Sequence, residues 1–237
     1  LGMDKIVILS GAGLSAKSGV STFRDDGGLW EEYDVKRICN HGCLDWNYDE
    51  TIHFYNLRRH DIQDKNPNYA HEVISKLKKE FPNDIEVITQ NVDNLLERAG
   101  CSDILHLHGF LPEIRCMDCD TTLNISYDKQ DDTNSFCPSC NSKMRPNVVF
   151  FGEEAPRYNK MHEILERCGL LVVIGTSGNV LDVSFLTQYA DFAILNNLEP
   201  SDAIIEEVFD QVYYDCATKA IDCIEKDIRN FIKTGTL

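Results

Sequence analysis

Two apolar runs, Ile6-Val7-Ile8-Leu9 and Leu170-Leu171-Val172-Val173-Ile174, each lead directly into a glycine-rich turn. That repeated device constrains the fold more than any other feature. Runs this short and this apolar suit strands covered on both faces, the usual state of a parallel sheet. In the first turn, Gly11-Ala12-Gly13, both glycines are free to take positive φ and let backbone approach a ligand, and Ser15, Ala16 and Ser18 are small enough for a helix to begin close behind. Backbone N–H groups would then face an anion, as in the strand, G-x-G-x-x-G/A and helix arrangement that binds a pyrophosphate, with Ala16 in the third position. Taken alone, the match also describes an ordinary structural turn. The continuation differs from a simple dinucleotide fold, because Ser21-Thr22-Phe23-Arg24 puts an aromatic and an arginine in a polar loop that runs on to Gly27-Gly28-Leu29-Trp30.

Further along, residues 31–80 have few β-branched runs, and the spacing through Thr51-Ile52-His53-Phe54-Tyr55-Asn56-Leu57-Arg58 predicts helix. A second, amphipathic helix is expected from Asn68 through Leu77. Residues 85–89 read as a strand ending in Gln90-Asn91-Val92-Asp93, and ligands of open α/β sheets gather at such strand ends. A short helix over 94–99, a strand over 104–109 carrying His106 and His108, extended chain at 148–151 and a helix over 161–168 follow. The second glycine turn, Gly175-Thr176-Ser177-Gly178, fits a sheet that holds one extended ligand at several strand ends. A strand at 192–195 delivers Asn196-Asn197-Leu198-Glu199, with an acid placed to meet a ribose diol, and an amphipathic packing helix closes the chain from 218 to 234.

Cys116, Cys119, Cys137 and Cys140 form C-x2-C-x17-C-x2-C, a spacing that lets two tight turns aim four thiolates at one tetrahedral zinc ion. Two disulfides are the competing reading. The other cysteines are scattered, as in a reducing cytoplasm, and no basic-then-apolar opening suggests secretion. No apolar run nears the ~20 residues of a membrane-spanning helix. A formal charge of −16 would repel a phosphate backbone, so nucleic acid is not an expected partner, whereas a cationic polypeptide is compatible; a merely soluble acidic surface explains the charge equally well.

Together these segments resemble the sirtuin family of NAD-dependent protein lysine deacylases. The matches stand in the family's order along nearly the whole chain: GAGLSAKSGVSTFR, TQNVDNLLERAG, HLHG, the paired cysteines, RPNVVFFGE, GTSGNV and NLEPS. The resemblance implies an α/β fold, with a Rossmann-like parallel sheet formed by residues 1–30, 81–112 and 147–237. A smaller domain would combine the helical insertion 31–80 with a zinc ribbon at 113–146, and the active site would lie in the cleft between the two. NAD would be the co-substrate and the zinc structural, since four thiolates leave no position for water.

Carried across residue by residue, Gly11, Ala12 and Gly13, backed by Ser15 and Ala16, would cradle the pyrophosphate. Thr22, Phe23, Arg24 and Trp30 would line the nicotinamide side, with Phe23 shielding the reactive ribose carbon. Gln90, Asn91 and Asp93 match the ribose and nicotinamide pocket, with Asn91 and the general base His108 as the catalytic pair. His106 reads as structural. Gly175, Thr176 and Ser177 match the phosphate and ribose side, Asn197 and Glu199 the adenosine ribose, and Cys216 a backbone contact to adenine. Phe151, Gly152 and Glu153 would lie along an acyl-lysine peptide added as a strand between the domains.

Tyr55 and Arg58 share one helix face, where a phenol and a guanidinium can hold a carboxylate. Without the family, an ordinary surface arginine beside a core tyrosine explains the pair; with it, Phe-Tyr-x-x-Arg resembles the subgroup preferring succinyl- and malonyl-lysine. Cys39 replaces that pocket's usual alanine and narrows it. Leu96 and Leu181-Asp182 also depart from the family pattern, at positions given no chemistry here. The resemblance therefore implies a monomeric desuccinylase and demalonylase that retains deacetylase activity, acts on acyl-lysine proteins and releases nicotinamide and 2′-O-acyl-ADP-ribose. Mono-ADP-ribosyl transfer to protein, which uses the same leaving group, is the main alternative. An NAD-sensing module without turnover would leave His108 and Asn91 unexplained.

Overall fold

A computed structural model of the chain describes residues 4–21 and 33–237. In chain order it contains strand β1 (Lys5–Ser10), helices α1 (Val35–Ile38), α2 (Cys43–Trp46), α3 (Tyr48–Gln63) and α4 (Tyr69–Glu80), strand β2 (Ile85–Thr89) and helix α5 (Leu95–Arg98). Strands β3 (Ile104–His106), β4 (Gly109–Cys116), β5 (Thr122–Asn124) and β6 (Met144–Val148) follow, then helix α6 (Arg157–Leu165), strand β7 (Cys168–Ile174), helix α7 (Val183–Leu186), strands β8 (Ala190–Asn197) and β9 (Gln211–Tyr214), and helix α8 (Ala217–Thr234). No helix among the described residues is long and apolar enough to cross a membrane.

Six strands form one sheet in the order β3-β2-β1-β7-β8-β9, with every neighbouring pair parallel. Successive strands move outward from β1 to β3 on one side and from β7 to β9 on the other. The order therefore reverses between β1 and β7, where an open parallel sheet leaves a crevice at its carboxyl edge. Strand periodicity divides the apolar runs between two cores. Ile6, Ile8, Leu170, Val172 and Ile174 face α4 and α8, while Val7, Leu9, Leu171 and Val173 face α6 and α7. Cover on both sides explains why β1 and β7 contain almost no polar residue.

Helix α4 lies within the 31–80 insertion expected to belong to the smaller domain, yet Ala70, Val73, Ile74 and Leu77 pack into the core of the parallel sheet. Its apolar stripe fixes that it must be buried, and the sheet supplies the surface. Edge strand β9 escapes the sequence reading because Gln211-Val212-Tyr213-Tyr214 carries little alternation. It forms by pairing with β8.

The second sheet is antiparallel, in the order β5-β4-β6. Its cysteine end has a small core of Ile114, Cys116, Cys137 and Met144. At the other end, Leu111 and Val148 pack with Phe54, Tyr55 and Ile62 of α3. β4 starts at Gly109 with φ +98, where an added Cβ would fall 2.0 Å from the Asn147 carbonyl oxygen, so a residue with a side chain could not begin this pairing. The strand expected over 104–109 thus breaks after His106, and His108 sits in the turn. The extended run expected at 148–151 is shifted: strand β6 precedes it and ends at Val148, and beyond it Val149 N–H donates to the His108 carbonyl at 2.8 Å.

Candidate active site

The two glycine turns after β1 and β7 pack backbone against backbone. Gly13 N–H donates to Gly175 O at 2.8 Å. A Cβ on Gly13 would lie 2.6 Å from Gly175 Cα, and one on Gly11 would lie 2.7 Å from Gly175 O. Gly11 is extended at φ −126, and Gly13 is also outside the left-handed region that Gly175 occupies at φ +67. The expectation that Gly11 and Gly13 take positive φ is corrected: close approach of the second turn requires them. Nor does an α-helix begin here. Ala12–Leu14 and Ala16–Ser18 form two single 3-10 turns.

Side chains at four strand ends join into one polar floor. Gln90 Nε2 donates to Thr176 Oγ1 at 3.1 Å. Thr176 and Asn197 bond reciprocally, N to Oδ1 at 3.0 Å and Nδ2 to O at 2.9 Å. Asn91 Nδ2 donates to Gly11 O at 3.0 Å. Ser15 is central: its hydroxyl donates to Asp93 Oδ2 at 2.9 Å and lies 3.2 Å from His71 Nε2. The other ring nitrogen, Nδ1, accepts the Asn68 N–H at 3.0 Å in the capping box of α4. These partners assign the tautomer, with Nε2–H donating to Ser15. Burial lowers the His71 pKa to about 4. It pushes the Asp93 carboxyl up, against the Leu95 N–H and the Ser15 hydroxyl that favour the carboxylate. Ser177 follows in the same turn, and its carbonyl accepts from Ser201 at 2.6 Å. Glu199 lies exposed beyond β8, and half-buried Cys216 caps α8 just past β9.

A cavity of about 480 Å³ opens onto this floor. Ala12, Ser15, Gln90, Asn91, Asp93 and His108 line it, together with Tyr55, Arg58, Phe151, Gly152 and Glu153. His108 Nε2 lies 2.6 Å from the Tyr158 hydroxyl. Burial lowers the His108 pKa, and a hydrogen bond to the Gln90 backbone opposes the shift. With the other nitrogen donating to that carbonyl, Nε2 is the acceptor, and burial, which raises the Tyr158 pKa, keeps a proton on the phenol to donate. Tyr55 stacks on Phe150 at a centroid distance of 5.4 Å, and the Arg58 guanidinium lies 5.5 Å above the Tyr55 ring. Burial raises both the Tyr55 hydroxyl and the Cys39 thiol on the same wall, the latter to about 12, so the wall presents neutral O–H and S–H beside a cation.

The segment expected to run along a peptide is partly committed elsewhere. Phe151 N–H donates to Cys39 O and Phe151 O accepts from His41 N–H, at 2.8 and 2.7 Å. Glu153 forms a double contact to Arg145 at 2.7 and 2.9 Å and accepts the Phe150 N–H. Its carboxylate therefore closes a local ion pair and shapes the cavity rim.

Away from this cavity, the Sγ atoms of Cys116, Cys119, Cys137 and Cys140 lie within 4.8 Å of one another. The 116–140 and 119–137 separations, 3.4 and 3.6 Å, approximate the ~3.8 Å edge of a tetrahedron with Zn–S bonds near 2.3 Å and exceed any S–S bond. Backbone N–H groups of Asp118, Cys119 and Ser139 point at the sulfurs at 3.4 Å, which favours thiolates. The donor set fits one structural zinc and excludes the two-disulfide reading.

Residues 11–182 match the family model described as Sir2 family. A protein of Campylobacter jejuni strain RM1221 named NAD-dependent protein deacylase is 48% identical over 236 residues, covering 99% of this chain and 100% of that protein. The chain belongs to the Sir2 family. A Helicobacter hepaticus protein of the same name is 42% identical over 254 residues, 97% of this chain and 99% of its own length. The crystal structure of a Sir2 homologue in complex with NAD superimposes with a TM-score of 0.83 at 29% identity, covering 96% of this chain and 90% of that one.

Thr22, Phe23, Arg24 and Trp30 lie outside the described residues. The structure adds two residues, in contact with Ser15 and His108, that the sequence reading passed over. His71 carries a local signal, the Asn68-x-x-His capping spacing, that says nothing of Ser15. Tyr158, on the first turn of α6, carries none, since an aromatic there reads as core.

Proposed function

We propose that this chain is an NAD-dependent protein-lysine deacylase that removes succinyl and malonyl groups and retains deacetylase activity, releasing nicotinamide and 2′-O-acyl-ADP-ribose. The observation that carries this reading is one cavity lined by Asn91, Asp93 and His108 together with Tyr55 and Arg58. NAD supplies the leaving nicotinamide and the ADP-ribose that receives the acyl group. Ala12 and Ser15, held by the packed Gly11, Gly13 and Gly175 turns with Ala16 behind, meet the pyrophosphate. Gln90, Asn91 and Asp93 orient the nicotinamide half; Thr176, Ser177, Asn197, Glu199 and the Cys216 backbone meet the adenosine half. Thr22, Phe23, Arg24 and Trp30 complete the nicotinamide side. His108 Nε2, neutral and facing the cavity, takes the proton of a ribose hydroxyl once the Tyr158 O–H yields its place. Phe151 and Gly152 flank the acyl-lysine. Arg58 faces the far end of the acyl chain, where a carboxylate forms a charge-assisted hydrogen bond, with Tyr55 beside it.

The division of the chain that we favour joins α1–α3 to the zinc ribbon as the smaller unit and counts α4 with the parallel sheet. We also assign it to the cytoplasm, as a monomer whose partners are acylated proteins rather than nucleic acid or membrane. The test is incubation with NAD and acetyl-, succinyl- and malonyl-lysine peptides of one sequence, followed by mass analysis. Unmodified peptide with free acyl-ADP-ribose supports deacylation, whereas ADP-ribose retained on the peptide overturns it in favour of transferase chemistry.

A further inference from the structure

Arg59 follows Arg58 on α3 and is the largest fully buried side chain among the described residues, at 0% exposure. Its Nε donates to the Leu111 carbonyl and its Nη1 to Asn56 Oδ1, both at 2.9 Å, while Nη2 is buried and meets no acceptor among the described residues. Both acceptors are neutral. The other buried arginine among the described residues, Arg145, shows the contrasting arrangement: its guanidinium is clamped by the Glu153 carboxylate. A buried cation without a counter-charge is costly, and a fold that needed only the two hydrogen bonds could obtain them from a neutral side chain. Burial lowers the Arg59 pKa to about 10, with Arg58 adding to the effect, so the side chain is still charged at neutral pH.

Its position gives that charge a role. Tyr55, Arg58, Ile62 and Leu111 all line the cavity, and Leu111 is also the residue whose carbonyl holds Arg59, which therefore lies immediately behind the cavity wall. Tyr55 and Arg59 are one helical turn apart on the same stripe of α3. We propose that Arg59 is the second cation of the acyl site, a positioning residue whose uncompensated charge behind the wall makes the cavity select acyl chains ending in a carboxylate. This rests on the reading that acyl-lysine enters the cavity with its far end at Arg58. A neutral acyl group brings no counter-charge to the Arg59 guanidinium, whereas a carboxylate held at Arg58 places a negative charge one wall away from it.

The test uses the zinc-loaded protein with NAD and measures kcat/KM on succinyl- and acetyl-lysine peptides of one sequence for the wild type, Arg59→Met, Arg59→Gln and Arg59→Lys. The expected result is a succinyl-to-acetyl ratio about tenfold lower in both neutral variants, order-of-magnitude for one missing charge at this range, and largely restored in Arg59→Lys. Arg59→Gln guards against a folding defect, because it keeps a donor for Leu111 while losing the charge and the Asn56 contact. Equal losses on both peptides, or a ratio that the lysine does not restore, make Arg59 a structural tie and overturn the proposal. A wild type active on acetyl but not on succinyl peptide overturns the acyl reading and this proposal together. A selective wild type whose ratio is indifferent to Arg59 overturns this proposal alone.

Discussion

His71 gives the structure its most quantitative test. The ring is fully buried, accepts the Asn68 N–H on Nδ1 and donates from Nε2 to Ser15. A protonated ring would set Nδ1–H against the Asn68 N–H, donor against donor, in addition to the desolvation that lowers its pKa to about 4 from 6.5. The folded protein resists this proton and the unfolded chain does not, so the stability contribution is complete above pH ~6.5 and is lost as pH falls toward 4. The linkage relation gives a loss of about 1.4 kcal/mol at pH ~5.5 and about 2 kcal/mol at pH ~5, approaching about 3.4 kcal/mol below both pKa values. His71→Gln isolates this contribution, because glutamine can keep the capping box by accepting the Asn68 N–H and does not titrate. At neutral pH the variant should be less stable by roughly 1–2 kcal/mol for the lost Ser15 bond. In urea unfolding from pH ~7 to ~5, the wild type should then lose about 2 kcal/mol more than the variant. Asp93 and every other titrating group are present in both proteins and cancel to first order. Parallel stability–pH curves would refute the assigned tautomer and the Ser15 link.

Other consequences follow from the same geometry. Arg58→Met should lower succinyl-peptide kcat/KM roughly 10- to 100-fold, the scale of a hydrogen bond to a charged group, with a much smaller effect on acetyl-peptide; equal losses would exclude a carboxylate clamp. The lowered His108 pKa means that kcat/KM should rise with pH through a midpoint below the ordinary histidine value and then level off. Tyr158→Phe removes a donor to the neutral ring and should move that midpoint upward, which a pH–rate profile would detect. Chelation, or Cys119→Ser, should remove one zinc per chain and lower the thermal midpoint, measured by metal analysis and calorimetry; retention of full stability without zinc would sink the structural assignment. Gly13→Ala places a methyl 2.6 Å from Gly175 Cα and should destabilise the chain by about 1–3 kcal/mol or more in denaturant unfolding.

The sequence disclosed what depends on neighbours along the chain. Apolar runs in β1 and β7 announce strands buried on both faces, and paired cysteines announce their ion because each ligand pair is itself a tight turn. What depends on a distant partner was not legible. The stripe on α4 says that one face is covered, but not that the parallel sheet covers it. Gly11 and Gly13 look like residues chosen for φ, yet the constraint is a second turn more than 160 residues further along the chain, visible only once β1 and β7 pair. Arg59 is the sharper case. Beside Arg58 in a helix it reads as solvated surface, and only the packing of β4 on α3 makes it a buried charge.

That limit also explains how the polar network around Asp93 is organised. Ser15 stands behind the first glycine turn, Asp93 beyond β2 and His71 on α4, and the relay between them exists only because β1 and β2 are parallel neighbours with α4 across one face. Both Asp93 carboxylate oxygens accept protein hydrogen bonds, Oδ1 from Leu95 N–H and Oδ2 from Ser15. A carboxylic acid would have to turn an O–H toward one of those donors, so the local geometry favours the ionised form even as burial opposes it. His71 supplies the condition for this: its Nε2–H donates to Ser15 and orients that hydroxyl toward Asp93, whereas its loss would leave the hydroxyl free to rotate. The same substitution that flattens the stability–pH curve should therefore raise the apparent KM for NAD without changing the acyl-group ratio. A change in the ratio instead would mean that the Ser15–Asp93 network and the Tyr55–Arg58 wall are not independent.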